Sequence, residues 1–422
     1  MSKIAIFTNF KKFDPWYSLT GIVKDQARML AEYGNDTHVI ADEQCSRSNF
    51  LTHGKLHCLL PSVDLYDYQD GEELSALHME YASNLAVILE SFITNNKIDT
   101  VFSHDWIFTG WNRPYALAIQ IASRKLSAIN WFHWIHSIPS TPKSWWHLSN
   151  YGPHHWIVYP NRTDTMRVAE AYRTNPAVVK VIPHIKDLRI MFEFSDTTCR
   201  IIEEIPALMY ADIVQIYPAS SDRFEAKGVS KVIKILGNIK ALGHSVCLFI
   251  ANQWATTAKQ YADINKYHSI AREAGLIPGH DVIFSSNLKD YDFKYGVPWR
   301  QLRELMQLAN LFVFPTSHET FGLVLPEVSL CSGALCILNR SLQMQAEIAG
   351  NNTLFFDFGS YTHNFEPEDM DDYLRQVALI ILGRMQENDS LLTRTFMRKH
   401  YNYDHLYSHY YGPIIEEAKI YE

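Results

Sequence analysis

Short apolar runs alternate along the chain with longer stretches in which apolar residues recur every three or four positions. The first pattern is typical of buried strands and the second of helices with one buried face. In the first half of the chain, strands are predicted over residues 3–7, 37–40, 100–103, 127–132, 155–159 and 179–183. Helices are predicted over residues 23–33, 73–95, 115–125 and 164–172. This alternation predicts a parallel sheet with helices on both faces, so residues 1–185 are expected to form one Rossmann-like domain.

The alternation breaks over residues 186–210, which we interpret as an interdomain linker, and then begins again. In the second half, strands are predicted over residues 211–217, 245–251, 281–285, 311–315 and 334–338. Helices are predicted over residues 229–242, 299–308, 323–331 and 371–386. Residues 211–400 are therefore expected to form a second Rossmann-like domain. The expected fold is α/β, with two doubly wound parallel-sheet domains that face a ligand cleft at the carboxyl ends of their strands.

The end of the chain, residues 401–422, is an aromatic-rich segment that is predicted to be helical. Two placements are open for it at this point. It either crosses back to pack on the first domain or caps the second domain, to which it is joined in sequence.

Composition adds three constraints to this picture. A length of 422 residues with 47% hydrophobic and 20% charged residues is typical of a globular protein with two cores. Apolar runs are of strand length and the N-terminus lacks the apolar core of a signal peptide, so no membrane span and a cytoplasmic location are expected. The net charge of −8 argues against a surface built wholly for nucleic acid, although a local basic cleft remains compatible with it.

The segment 315–327 is the most informative stretch, because it follows a predicted strand and opens a predicted helix. Glu319 is expected in the loop and Glu327 in the second helical turn, so that both carboxylates face one ligand. Three backbone amides near the start of this helix have no partner within it, those of Gly322, Leu323 and Val324. A helix N-terminus of this kind suits a diphosphate.

A second strand end, in the segment 217–228, leads into the next helix and carries two cations, Arg223 and Lys227. Positive charge is needed wherever negative charge grows on a leaving phosphate oxygen. The two segments together indicate a site for a phosphorylated ligand in the second domain.

These two segments resemble the Glu-x7-Glu and Gly-Arg-x-Lys-Gly elements of the retaining glycosyltransferases of family 4, which have the two-domain fold known as GT-B. The resemblance implies that Glu319 contacts the donor sugar, that Glu327 contacts the ribose, and that Lys227 and Arg223 neutralise the diphosphate. Phe321 precedes the glycine of the same donor-binding element. The family usually places its arginine five or six residues before the lysine, whereas Arg223 stands four before it.

The first domain offers weaker parallels to the same family. Gly21 follows a long loop where the family has a glycine turn that approaches donor and acceptor. His104, His133 and His136 follow or end predicted strands, and the resemblance implies that one of them lies over the donor sugar. His184 occupies a predicted interdomain turn, which we interpret as a hinge.

The resemblance implies transfer of a hexosyl or pentosyl group from a nucleotide-diphosphate sugar to an acceptor hydroxyl, with retention of configuration. No cofactor and no metal are expected. Two Asp-x-Asp segments, 290–292 and 369–371, are interpreted as solvated loops rather than metal sites. The acceptor is open: a small molecule, a glycan, a lipid head group or modified DNA.

Other interpretations of the same segments are kept open. In a DNA glycosyltransferase of phage type, basic residues would line a lip on the first domain and tryptophans would stack on a hydroxymethylated base. Candidate lip residues are Lys11, Lys12, Arg113, Arg124, Lys125 and Lys143, and candidate stacking residues are Trp16, Trp134, Trp145 and Trp146. A sugar-nucleotide epimerase, a phosphorylase and a non-catalytic sugar-nucleotide-binding protein are the remaining alternatives.

Overall fold

The computed structural model describes residues 1–46, 53–137, 141–289, 291–350 and 353–420. The chain forms two compact units. Unit 1 comprises Met1–Asp187 together with Tyr401–Glu422, and unit 2 comprises Leu188–His400. Both units consist of parallel strands with intervening helices, so the prediction of two Rossmann-like parallel-sheet domains is confirmed.

In its described residues, unit 1 contains one sheet of seven strands, all of them paired in parallel, in the order β3-β2-β1-β4-β5-β6-β7. The strands are β1 Lys3–Phe7, β2 Asp36–Asp42, β3 Lys55–Leu60, β4 Thr100–His104, β5 Asn130–Trp134, β6 His155–Tyr159 and β7 Val179–Val181. The helices of this part are α1 Ser18–Glu32, α2 Ala76–Asn96, α3 Arg113–Ser123 and α4 Thr165–Ala171. The order places β1 and β4 side by side at the point where the strand order reverses, where doubly wound sheets bind ligands.

The side chains of strand β1 show that this sheet is covered by a core on each face. Successive side chains of a strand point to opposite faces of the sheet. Ile4 and Ile6 belong to one buried apolar cluster, whereas Ala5 and Phe7 belong to another. A continuous apolar run therefore fits a strand with a core on each face, as the sequence pattern predicts.

The C-terminal segment belongs to unit 1. It comprises α15 Tyr403–Leu406, a π-helical turn Tyr407–Tyr411 and α16 Gly412–Ile420. The ring of Tyr411 is buried with its centroid 5.9 Å from that of Trp134, and its hydroxyl accepts a hydrogen bond of 3.3 Å from Gln26 Nε2. Of the two placements left open by the sequence, packing on the first unit is the one in the structure.

The described part of unit 2 has six parallel strands in two sheets, β10-β9-β8 and β11-β12-β13. The strands are β8 Ile213–Ser220, β9 Val246–Gln253, β10 Val282–Phe284, β11 Leu311–Phe314, β12 Leu335–Asn339 and β13 Leu354–Phe356. The Gln215 side chain joins the two sheets, because it donates 2.9 Å to the Val313 carbonyl and accepts 3.1 Å from the Val313 amide. Strands β8 and β11 are therefore neighbours although their main chains form no ladder.

The helices of unit 2 range from single turns to the 17-residue helix α13. They are α5 Leu188–Met191, α6 Asp196–Glu204, α7 Ala207–Tyr210, α8 Val229–Ala241, α9 Ala258–Glu273, α10 Trp299–Met306, α11 Val324–Ser332, α12 Gln343–Ala349, α13 Met370–Gln386 and α14 Asp389–His400. The segment 186–210, interpreted from sequence as a linker, thus contains three short helices, and α9 and α14 were not predicted. In the described residues, no helix combines the length and the apolar character that crossing a bilayer requires.

Candidate functional site

Two loops of unit 2 meet where β8 and β11 end. We call residues 221–228 the β8 loop and residues 315–323 the β11 loop. The Ser317 amide donates 2.8 Å to the Ala226 carbonyl, which ties one loop to the other. Gly228 has a φ of 67°, and a Cβ added there would lie 2.8 Å from Pro315 O. Glycine is needed at this position both for its backbone conformation and for the close approach of the loops.

The same contact brings together two of the residues singled out from the sequence. Lys227 Nζ forms an ion pair with Glu319 Oε2, and the two side chains are 12% and 14% exposed. The Lys227 carbonyl accepts 2.5 Å from the Tyr217 hydroxyl, and its ammonium lies 5.2 Å from the Phe314 ring centroid. Because both charges are largely withdrawn from water, each is the main compensation for the other.

Gly322 shapes the entry to α11. Its φ is 75°, and an added Cβ would lie 3.2 Å from Glu319 Cγ and 3.3 Å from the Phe314 ring. Among the described residues, the amides of Gly322, Leu323 and Val324 donate no backbone hydrogen bond. The start of α11 therefore presents unbonded N–H groups next to the Lys227–Glu319 ion pair, an arrangement that suits an anion.

Glu327 lies in the first turn of α11, one turn earlier than predicted, because the helix begins at Val324. Its side chain is half-buried, and burial raises the pKa of this carboxyl above its ordinary value. No donor within the described part of the chain forms a hydrogen bond with it, so its oxygens are available to hydroxyl groups of a ligand. Phe321 and Leu323 are exposed beside it, at 50% and 68%.

Arg223 lies at the same opening but outside the ion pair. Its side chain is exposed, and its Nη2 lies 3.5 Å from the His318 carbonyl of the β11 loop. The His318 ring in turn stacks on the exposed Tyr361 at 5.1 Å between centroids. Arg223 can therefore swing towards a phosphate without breaking a buried contact.

Gly21 is one of the residues of unit 1 that were singled out from the sequence. Gly21 lies within the first turn of α1 rather than in a turn before it, because that helix begins at Ser18, earlier than predicted. This corrects the sequence interpretation of Gly21 as a turn glycine. A Cβ added at Gly21 would lie 3.2 Å from Lys186 Nζ, so the first turn of this helix sits beside a cation.

His104 and His136 are joined at the carboxyl ends of β4 and β5. His104 Nδ1 and His136 Nε2 lie 2.8 Å apart, and His104 Nε2 is 2.9 Å from Gln26 Oε1. The His136 ring stacks on His184 at 5.0 Å. Burial lowers the pKa of His136 to about 3 and that of His104 well below its ordinary value, so both rings are neutral at pH 7.

His133, one of the three histidines of which one was expected to lie over a donor sugar, does not reach the surface of unit 1. The predicted strand ended at residue 132, but β5 extends from Asn130 to Trp134 and places His133 inside the sheet. Its Nδ1 lies 2.7 Å from Ser103 Oγ and its Nε2 lies 2.9 Å from His155 Nδ1. With 1% exposure and a pKa lowered to about 3 by burial, it is a neutral core residue.

The structure also shows which of the candidate residues for DNA binding and for metal binding are buried or already hydrogen-bonded. Trp134, Trp145 and Trp146 are buried and present no face to a base, whereas Trp16 is 92% exposed. The Asp369 carboxylate caps α13 by accepting from two amides of its first turn, as a helix cap does. Asp290, part of the other Asp-x-Asp segment, lies outside the described residues.

One residue that holds the site in place was not found from the sequence. Asn339, at the end of β12, donates to the Thr316 carbonyl at 2.9 Å and to the Gly359 carbonyl at 2.7 Å. Its Oδ1 accepts from the amides of Ser341 and Phe358. The available signal was a single polar residue directly after a buried apolar strand.

Among known proteins, similarity to this chain is found at the level of solved structures. No protein-family model matches the chain, and no curated protein matches it. Among solved structures, the chain is similar to a glycosyltransferase from Rickettsia africae, at 12% identity and a TM-score of 0.37 over 99% of this chain and 98% of that one. Sucrose-phosphate synthase from Thermosynechococcus elongatus matches at 14% identity and a TM-score of 0.37 over both whole chains. Anabaena HepE in complex with UDP-glucose matches at 13% identity and a TM-score of 0.35, again over both whole chains.

The fold follows from the strands of the chain itself, and the chemistry of the site follows from its own side chains.

Proposed function

We propose that unit 2 binds a nucleotide-diphosphate sugar and that the protein transfers the sugar to an acceptor hydroxyl. The observation that carries this proposal is the Lys227–Glu319 ion pair beside the unbonded amides at the start of α11. Backbone amides that can bind an anion, the Lys227 ammonium and the Glu319 carboxylate thus lie together at the carboxyl ends of β8 and β11. α/β proteins bind ligands at such strand ends.

The parts of the donor would be divided among these groups. The diphosphate would accept hydrogen bonds from the α11 amides and an ion pair from Lys227, and Arg223 would turn in from the exposed edge. Glu319 would accept from sugar hydroxyls. Glu327, a half-buried carboxylate with no described donor, would accept from the ribose hydroxyls.

The proposed reaction proceeds with retention of configuration and without a metal. Lys227, Arg223 and the helix N-terminus would stabilise the negative charge that grows on the diphosphate as the glycosidic bond breaks. The departing phosphate oxygen would take the proton from the acceptor hydroxyl on the same face of the sugar. Support for this finer mechanism comes from the resemblance of segments 217–228 and 315–327 to family 4.

The test measures release of nucleoside diphosphate from a panel of sugar nucleotides, with pooled acceptors and with or without EDTA. Wild type is compared with Glu319→Ala and with Glu273→Ala, a control at the far end of α9. Release that requires an acceptor and Glu319, and that survives EDTA, supports the proposal. Release from no donor, despite measurable nucleotide binding, contradicts it and favours an epimerase or a binding protein.

The acceptor panel includes hydroxymethylated duplex DNA. The reason is that Trp16, a candidate stacking residue, is exposed and follows the candidate lip residues Lys11 and Lys12 closely in the sequence. Transfer to that duplex, lost when both lysines are neutralised, would identify the acceptor as DNA. Transfer to sugars alone would exclude it.

A further inference from the structure

Unit 1 contains a cavity that plays no part in the donor site of unit 2. Its volume is about 500 Å³, within the range of roughly 300–1,000 Å³ that small-molecule sites occupy. It opens between the start of α2, the first turns of α3 and the segment that follows β5. The polar side chains in its lining are Glu73, Arg113, Gln120, Ser144 and Asn150, with Trp145 beside them.

Arg113 is the principal charged group of this cavity. Its guanidinium carbon lies 4.8 Å from the Trp145 ring and 5.4 Å from the Tyr68 ring, so two aromatic side chains hold it. Its Nη1 donates to the Glu72 carbonyl. Burial lowers the pKa of Arg113, and no carboxylate of the described residues lies within ion-pair distance of it. Its other N–H groups therefore remain available to a ligand.

The loops around Arg113 are tied together before any ligand arrives. The Ser144 amide donates 2.7 Å to Asp70 Oδ1, which links the segment after β5 to the segment after β3. The Tyr68 hydroxyl accepts 3.0 Å from the Ser75 amide, and a Cβ added at Gly110 would collide with the Tyr68 carbonyl. Loops fixed in this way give a preformed site, which lowers the entropic cost of binding.

The hydrogen-bonding groups of the cavity are of both kinds. Arg113, Gln120 and Asn150 supply donors, and the exposed Glu73 carboxylate supplies an acceptor. The indole N–H of Trp145 is buried and has no acceptor among the described residues, which is uncommon for a buried polar group. Sugar hydroxyls both donate and accept, so they match this mixture.

The charges favour an uncharged ligand over an anion. Asp70 and Glu72 act on the Arg113 guanidinium from nearby, and Glu73 lines the cavity. Lys143 also lies near Trp145, with its Nζ 6.0 Å from the ring centroid, and it also acts on Asp70. Three carboxylates against these two cations leave the surroundings of the cavity negative, which disfavours a phosphate or a second carboxylate. The Arg113 guanidinium, which lines the cavity, is suited to donate several hydrogen bonds to neutral oxygens.

We propose that this cavity binds an uncharged mono- or disaccharide unit, and that this unit is the acceptor. Binding of the sugar is independent of any reaction. Its role as acceptor rests on the proposed transferase function. Part of the lining comes from segments that follow the carboxyl ends of β3, β4 and β5, namely residues 73–74, Arg113 and residues 144–150. α/β proteins hold ligands at this edge of the sheet.

The experiment measures binding of neutral mono- and disaccharides to the full-length protein by calorimetry, alongside their phosphorylated and carboxylated counterparts. Arg113→Gln keeps the size of the side chain roughly and removes its charge and its fork of donors. Gln120→Ala is a second variant on the next turns of the same helix, in case Arg113→Gln does not fold. The matched control is Arg167→Gln, which changes an exposed arginine on α4 of the same unit.

We expect a neutral sugar to bind wild type and Arg167→Gln equally. We expect about tenfold weaker binding to Arg113→Gln, since a charge-assisted hydrogen bond contributes at least about 1.5 kcal/mol. The loss for Gln120→Ala should be smaller, about threefold, because this variant removes only a neutral hydrogen bond. Nucleoside diphosphate affinity should not change in any of these variants. The proposal is overturned if no neutral sugar binds, if a charged sugar binds tighter than its neutral counterpart, or if these substitutions weaken binding no more than the control does.

Failure of this proposal can be told apart from failure of the proposed function. Sugar binding that persists without any donor turnover would leave the cavity assignment standing and refute the transferase. Conversely, Glu319-dependent transfer to an acceptor whose affinity is the same for wild type and Arg113→Gln would support the transferase and refute the cavity assignment.

Discussion

The ammonium group of Lys227 and the carboxylate of Glu319 form an ion pair that joins two loops at the ends of adjacent strands of unit 2. Ninety-two residues of sequence separate the two partners. In the proposed reaction both groups have other tasks, because the lysine must meet a diphosphate and the glutamate a sugar. The ion pair therefore keeps each side chain in position while no donor is bound.

Replacing Glu319 with glutamine should separate catalysis from donor binding. The change removes the charge and keeps the shape, so Lys227 is left free for the diphosphate. We expect the turnover number to fall by about 100-fold or more, as when a preorganised electrostatic partner is removed. Affinity for the nucleoside diphosphate should stay the same or increase. Steady-state kinetics and calorimetry measure the two effects, with Glu273→Gln as the control; weaker diphosphate binding would contradict the proposed roles.

The ion pair should also contribute to stability. Lys227→Met leaves the Glu319 carboxylate without its partner in a site that is mostly closed to water, at a cost of roughly 1–3 kcal/mol in the free energy of unfolding. Adding Glu319→Gln to Lys227→Met should recover part of that loss, because no unpaired charge remains. Urea denaturation of the two single variants and the double variant measures the coupling between the residues. Additive effects would mean that the pair contributes no coupling energy.

Gly322→Ala should impair the donor site through contact as well as conformation. An alanine must adopt a φ of 75°, which costs about 1–2 kcal/mol, and its Cβ would press on Glu319 and Phe314. Gly333 is a matched control, because it has a φ of 68° and open space around the added Cβ. Both alanine variants should lose stability, but only Gly322→Ala should weaken nucleoside diphosphate binding. Equal nucleotide affinity in the two variants would show that the start of α11 does not hold the phosphates.

The buried histidines of unit 1 should make the protein sensitive to acid. Burial lowers the pKa of His133 and of His136 to about 3, whereas a histidine in the unfolded chain titrates near 6.5. Between these values the unfolded chain binds more protons than the folded one, so stability is complete above about pH 6.5 and is lost as the pH falls towards 3. Burial raises the pKa of Asp25 and of Asp105 to about 6, and these two carboxyls act in the opposite direction over part of the range.

The histidine contribution can be isolated with one variant. His133→Gln removes one titrating ring, so the slope of unfolding free energy against pH between about 4.5 and 6 should decrease by up to about 1.4 kcal/mol per pH unit. Urea denaturation at several pH values measures this slope for wild type and variant. Parallel slopes would show that His133 is not kept neutral by the fold.

The sequence predicted the elements that carry the site more accurately than the roles of individual side chains. Strand β11 and the start of α11 were placed within one residue, because a buried apolar run ends at Pro315 and a helical pattern follows. His133 was misplaced because the end of β5 is set by its pairing with β4, in which His133 lies opposite Ser103, rather than by its own local pattern. Such pairing partners lie far apart in the chain, and a window along the sequence does not contain them.

The amino-acid sequence by itself determined two parallel α/β domains and the two segments that bear Lys227 and Glu319, since both follow from local periodicity and from residue types at strand ends. Only the tertiary structure decided that these segments touch, that Asn339 holds the β11 loop, that His133 is a core residue, and that Arg113 lies between Tyr68 and Trp145. The physical reason is that parallel strands are joined through intervening helices, so their ends meet in space without any trace of that contact in the nearby sequence.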